Sequence, residues 1–292
     1  MKSSFSHFEK KSTGKGQIKS VVGLALVGLV SLSGLAKAGE VLDKVMAEGK
    51  MTVATNSEYP PASYLNADGV FEGYDVDVAK ELAKRMGVDV EFINPAWEAI
   101  TSGKWGGRWD VAIGSMTPTP ARAEVLDFPA VYYFTPSAFY VHKDSSAQTL
   151  ADLNDKRIGA SGGSTYEAYL THTLELDQTY SPPVTFSVTP SDIRTYETDT
   201  NAMDDLRIGD GKRLDAGISS VPNILEAIKA NYPIRQLGDP VFYEPLAVAL
   251  AKGDPEMTAK TAEIIEEMRV DGTLVELSVK WFGEDLVSTT HN

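Results

Sequence analysis

From Met51 onward, short apolar runs suited to strands alternate with amphipathic stretches suited to helices, and this alternation limits the possible folds more than any other feature. Residues 51–55 read as a strand and lead into a proline-rich loop, Glu58-Tyr59-Pro60-Pro61. Asp75 is placed to cap a helix on which Val76, Ala79, Leu82, Ala83 and Met86 recur at helical spacing, with Gly87 as its stop. Residues 88–93 form the next strand, 97–101 a short helix ending at Gly103, 109–115 a third strand, and 137–141 an alternating one. A second series follows: a strand at 157–160, a helix from Thr165 to about Leu174, a strand at 214–218, and a helix at 221–230 opened by Pro222. A strand at 246–251 and two amphipathic helices, 255–270 and 274–282, close the pattern, while Pro182-Pro183 and 195–200 read as loops. The expectation is an α/β fold of two lobes, each a mostly parallel sheet flanked by helices, joined by short strand-like connections near 135–137 and 237–241. Residues 39–136 and 238–292 are expected to form the first lobe and 137–237 the second.

The N-terminal segment 1–38 reads as a signal peptide. Lysines precede an apolar run from Val21 to Leu32, and Ala36-Lys37-Ala38 has the small-x-small form of a cleavage site. The run is shorter than the roughly 20 residues that span a bilayer, and no cysteine is present to take a lipid. Loss of six lysines against Glu9 takes the formal charge from −14 to about −19. Such a field argues against nucleic acid and anionic membrane surfaces as partners. The four histidines (His7, His142, His172, His291) show no ligand spacing, and no nucleophile–histidine arrangement occurs, so neither a metal nor a cofactor is expected.

The segment 113–122, Ile-Gly-Ser-Met-Thr-Pro-Thr-Pro-Ala-Arg, leaves a strand with backbone N–H groups, hydroxyls and one guanidinium close together. That combination suits a carboxylate, which accepts charge-assisted hydrogen bonds and matches the planar fork of arginine. Both this loop and 161–165 follow strands, where ligands sit in open α/β sheets. Gly162-Gly163 lacks the lysine of a phosphate-binding loop.

In order along the chain, Tyr59-Pro60-Pro61, Gly73-Tyr74-Asp75-Val76-Asp77-Val78, Trp97, Ser115-x-Thr117-x-Thr119-x-x-Arg122, Asp127-Phe128, Gly163-Ser164-Thr165, Leu214-Asp215-Ala216, Pro222-Asn223-Ile224, Asp271-Gly272-Thr273 and Lys280-Trp281-Phe282-Gly283 form one set. That set resembles the periplasmic amino-acid-binding proteins that serve ABC importers, the family 3 type of solute-binding protein. The resemblance covers about 45–285 and implies the type II periplasmic-binding-protein fold with a two-strand hinge. It also implies a monomer that captures a small zwitterionic amino acid or derivative by lobe closure, delivers it to a membrane ABC permease, and is not an enzyme. Carried over by residue, Arg122 would grip the ligand carboxylate with Thr117, and Thr165 would donate its N–H to the same group. Ser115 and Gly114 would face the amino group, and Tyr59 and Trp97 would sandwich the side chain, with Tyr166 beside them.

Two departures stand out. Ser220 occupies the place where such proteins put the aspartate that pairs with the amino group, and a hydroxyl cannot neutralise a buried ammonium. Asn56 replaces an aspartate that accompanies cationic ligands. Glu58, or an acid among Asp192, Asp199, Asp204 and Asp205, stands as the substitute. A ligand whose amine is altered, an opine-, ectoine- or betaine-like solute caged by the aromatics, is the other solution. An exported dehydratase resembling cyclohexadienyl dehydratase is the rival enzyme reading, with Glu58, Glu72 or Glu167 as its acid. A receptor's sensor module is the third.

Overall fold

The computed structural model describes residues 39–288; the signal peptide expected at 1–38 and His291 lie outside the described residues. Helix α1 (Glu40–Glu48) precedes β1 (Lys50–Ala54). A small meander of β2 (Glu58–Tyr59), β3 (Ser63–Leu65) and β4 (Phe71–Glu72) then leads into α2 (Tyr74–Met86). Next come β5 (Asp89–Ile93), α3 (Trp97–Thr101), β6 (Val111–Met116), α4 (Pro120–Ala123) and β7 (Leu126–Asp127). The long β8 (Val131–His142) carries the chain to β9 (Arg157–Ser161), α5 (Thr165–Leu170), β10 (Asp192–Tyr196), α6 (Asp199–Arg207), β11 (Ala216–Ser220) and α7 (Val221–Lys229). Strand β12 (Ile234–Ala251) returns, and α8 (Pro255–Val270) and α9 (Thr273–Phe282) finish the described fold.

Strand order is β10-β9-β11-β8-β12-β6-β1-β5, with β7 also on β12. The outer blocks are parallel, β9 with β10 and β11 at one end, β1 with β5 and β6 at the other. Between them β8 and β12 run antiparallel to each other and to their neighbours. Each block buries both faces, as parallel sheets do. Met51, Val53, Val111 and Ile113 join one core while Ala54, Ala112 and Met116 join another on the opposite face. In the second block Phe139, Ile158 and Ile218 face one core, and Ala138, Tyr140 and Leu214 the other. The molecule is therefore two-lobed.

From Phe134 to Pro136, β8 pairs only with β12, and this bare ribbon connects the two blocks. Pro136 and Pro245 lie in it, opposite Tyr243 and Phe134. Neither needs to donate to a third strand there, which is where a strand tolerates proline. The pairing register breaks between Leu237 and Phe242, where Gly238-Asp239-Pro240 interrupts the ladder inside β12.

Several elements depart from the sequence expectation. Helix α2 starts two residues early, capped at Gly73, and Asp75 does not cap it but turns inward. Gly73 adopts φ +128°, and a Cβ there would fall 2.2 Å from the Ala62 carbonyl oxygen, so only glycine lets the meander approach the helix. Helix α5 ends at Leu170, four residues short, because His172 takes the left-handed conformation (φ +58°) and Leu174 packs from the following loop. The segment 195–200 is not a loop: β10 ends in it and α6 begins, with the Thr198 hydroxyl accepting from the Asn201 N–H and Ala202, Met203 and Leu206 buried. Strands β8 and β12 are far longer than the 137–141 and 246–251 segments expected.

Candidate functional site

The loops that leave β6 and β9 face each other across one cavity of about 260 Å³. Nine of the ten residues expected at a site line it: Glu58, Tyr59, Trp97, Gly114, Ser115, Thr117, Arg122, Thr165 and Tyr166. Ser220 does not. It is 3 % exposed and its hydroxyl accepts from the Asn223 N–H, capping α7.

Arg122 sits on α4, where Thr119 and Pro120 begin the turn after β6. Its Nη1 donates to the Thr117 carbonyl at 2.9 Å and its Nη2 to the Gly163 carbonyl at 2.9 Å, so the fork spans the two loops. Two of its five donors are thus used among the described residues. The guanidinium lies 5.4 Å from the Trp97 ring centroid, and Trp97 Nε1 donates to the same Gly163 carbonyl at 3.3 Å. Burial pushes the Arg122 pKa down to about 10, against the pull of the Glu244 carboxylate. It stays charged at neutral pH.

Other bonds join the same two sides. The Tyr59 and Tyr166 hydroxyls are 2.8 Å apart, and the Asn223 amide donates to the Pro60 carbonyl at 2.7 Å. Thr198 Oγ1 donates to the Glu58 carboxylate at 3.0 Å and Thr200 to its carbonyl at 3.2 Å. Glu58 is exposed and already partnered, which leaves it poorly placed to serve an amine inside the cavity. Ser115 and Gly114 line the cavity and also hold partners within the protein. Ser115, at φ +56°, donates its hydroxyl to Asp75 at 2.7 Å, and the Gly114 carbonyl accepts from Asn56 at 3.1 Å.

Sequence reasoning missed Glu244. This residue is 2 % exposed on the bare ribbon and lines the cavity. Its Oε1 accepts from Thr117 Oγ1 at 2.7 Å and from Thr165 Oγ1, and its Oε2 accepts from Ser137 at 2.9 Å. The available signal was a lone carboxylate inside the otherwise apolar run 241–251, since buried acids are rare unless partnered. Asp199, one of four acids named from the sequence as a substitute, also lines the cavity at 4 % exposure. Asp192 and Asp204 instead pair with Arg194 and Arg207, and Asp205 with Arg213. Of the acids nominated for a dehydratase, Glu72 accepts from Asn66 and Glu167 from the Gly163 N–H; only Glu58 reaches the cavity, at its rim.

Beneath the site, Asp75 is fully buried and accepts from Tyr132 at 2.6 Å and from Ser115. Burial raises its pKa to about 7, despite those hydrogen bonds. An unfolded carboxyl titrates near 3.8, so the native state binds the extra proton between these values, and the stability it confers fades as pH rises toward 7. The isosteric Asp75→Asn variant imitates the protonated form at every pH. Its melting temperature relative to wild type is therefore expected to climb by several degrees between about pH 4.5 and pH 8. A constant difference in parallel thermal melts would show that the carboxyl does not titrate in this range.

Residues 51–284 match the family described as bacterial extracellular solute-binding proteins, family 3. The L-cystine-binding protein TcyJ of Escherichia coli strain K12 is 30% identical over 276 residues, which covers 94% of this chain and 97% of that protein. A solved structure of an ancestral arginine-binding protein bound to arginine superposes with TM-score 0.68 at 30% identity, covering 80% of this chain and 99% of the other. The ancestral amino acid-binding protein AncCDT-1, a precursor of cyclohexadienyl dehydratase, gives TM-score 0.70 at 30% identity over 82% of this chain and 99% of its own.

Proposed function

The chain belongs to the bacterial extracellular solute-binding proteins of family 3, and from that premise we propose that it captures a neutral or cationic amino acid by lobe closure and presents it to a membrane ABC permease. Relatives with similar full-length chains are named for cystine and arginine, which fits an amino-acid ligand. Export through the leader at 1–38 would place the protein in the periplasm. The moving bodies are 39–136 with 238–292, and 137–237, turning about the bare ribbon of β8 and β12.

One observation carries this reading: Arg122 is, among the described residues, the single cation lining a cavity of amino-acid size, held between carbonyls from both sides. Its remaining N–H groups would take the ligand carboxylate, assisted by the backbone N–H groups of Thr117 and Thr165. The Thr117 and Thr165 hydroxyls are committed to Glu244, so it is their main-chain donors that face this task. Tyr59, Trp97 and Tyr166 supply the apolar walls. Four carboxylates, Glu58, Glu197, Asp199 and Glu244, line the cavity against that one guanidinium. A second acid on the ligand would meet unopposed like charge, whereas an added cation would be welcome. The aspartate absent at Asn56 is thereby offset, and cationic side chains remain within the proposed range.

The test is mass spectrometry of small molecules released from protein purified without denaturation, joined to a thermal-shift panel of amino acids, opines and compatible solutes. L-cystine, L-arginine or a neutral polar amino acid should raise the melting temperature by several degrees. L-glutamate and L-aspartate should not. A panel in which the dicarboxylic amino acids win, or in which no amino acid shifts the melt, overturns the reading.

A further inference from the structure

Within the amino-acid reading above, on which this step rests, we infer that the ligand's ammonium group is held by Asp199, on the first turn of α6. A ligand's ammonium group leaves bulk water on entering such a site. Shut inside a closed cavity it needs a carboxylate with a lone pair to spare, because an unpaired buried charge is costly. Four acids line the cavity, and three are otherwise disposed. Glu58 and Glu197 are exposed at the rim, and Glu58 already accepts from Thr198. Both oxygens of Glu244 are taken by three hydroxyls.

Asp199 differs from all of them. It is 4 % exposed, and its Oδ2 accepts from the Ser219 hydroxyl at 2.5 Å. Its Oδ1, also buried, has no hydrogen-bond partner among the described residues; Ser161 lies near enough to favour the charged form without meeting hydrogen-bond geometry. A buried carboxylate oxygen left unpartnered beside a polar cavity is rare in folded proteins. No cation within the described residues neutralises it, and burial accordingly holds its pKa near 6. A ligand ammonium would supply the missing charge and donate to that oxygen. The placement also answers the serine at 220. Ser219 is the neighbour of Ser220 at the end of β11, so Asp199 brings its carboxylate from α6 to the same end of that strand. Across the cavity, Arg122 would hold the other end of the zwitterion.

Calorimetric titration of the wild type, D199N, S220D and D199N/S220D with L-cystine and L-arginine tests the assignment. Matched probes lacking the α-amine, 3,3′-dithiodipropionate and 5-guanidinopentanoate, are titrated in parallel. D199N should weaken the amino acids about 50-fold and the deaminated probes less than threefold. Ser220 caps α7, a position where aspartate serves as well as serine, so S220D should fold, and D199N/S220D should recover at least tenfold of the loss. D199N binding the amino acids within threefold of wild type overturns the assignment while leaving the amino-acid reading intact. Wild type that binds neither amino acid overturns both. Should D199N fail to fold, the Asp199 carboxyl ¹³C resonance of the wild type decides: it should move with L-cystine or L-arginine and stay still with the deaminated probes, and no movement with either amino acid overturns the assignment.

Discussion

Replacing Arg122 by alanine is expected to lower amino-acid affinity at least 1,000-fold while shifting the melting temperature by no more than about 3 °C. Among the described residues the guanidinium is the only cation lining the cavity, and four carboxylates line it too. Without it, a ligand carboxylate would enter a closed, acidic space with no opposing charge. Removing one member of a buried, hydrogen-bonded charge pair costs about 4 kcal/mol, which is the stated factor. Folding should be little affected, because α4 is a four-residue turn with no buried residue. The bond from Arg122 to the Thr117 carbonyl stays within its own loop, and only the bond to the Gly163 carbonyl crosses the cavity. Lysine at this position should recover little, since an ammonium cannot reach two carbonyls and a carboxylate with one planar fork. Calorimetry that gave near-native affinity for Arg122→Ala would remove the carboxylate seat, and with it the basis of the whole functional reading.

How much of this was legible beforehand follows from the range of the forces involved. Local signals carried far: Gly87 after an apolar helical stripe, Pro222 opening α7 and the alternating βα pattern all refer to neighbours within a few residues. The two loops that meet at the cavity were legible because each follows a strand and has its own distinctive chemistry. Asp75 shows where local reasoning stops. Beside a helix start it reads as a cap, yet Tyr132 and Ser115, 57 and 40 residues away, draw its carboxyl inward. Helix α6 was hidden because its polar residues, Asp199, Thr200, Asn201, Asp204 and Asp205, outnumber the apolar stripe of Ala202, Met203 and Leu206 that buries it. Ser220 and Asp199 make the same point about chemistry. Which of two polar residues faces the cavity depends on the packing of α6 against β11, a contact that no run of sequence encodes.

Glu244 was the least legible residue, and removing it should have the second largest effect. The Glu244→Ala variant is expected to bind amino acids more than 100-fold more weakly and to spend more time open. Glu244 lies on the ribbon between the lobes and gathers hydroxyls from three elements: Thr117 after β6, Ser137 on β8 and Thr165 at the start of α5. Thr117 and Thr165 are 2 % and 6 % exposed in this arrangement, so without the carboxylate their hydroxyls would be buried and unpaired. Each orphaned hydroxyl costs about 1–3 kcal/mol, so the pair costs about 2–6 kcal/mol, a range centred above the roughly 3 kcal/mol that a 100-fold change requires. That cost is specific to closure, because in an open cleft water can reach both threonines. The loss should therefore appear in affinity and in lobe separation more than in unfolding. Small-angle scattering should show a larger radius of gyration for the ligand-saturated variant than for ligand-saturated wild type. A variant that closes and binds as wild type does would mean the three hydroxyls find other partners, and that the tie between the lobes rests on the other bonds across the cavity, Arg122 to Gly163, Tyr59 to Tyr166 and Asn223 to Pro60 among them.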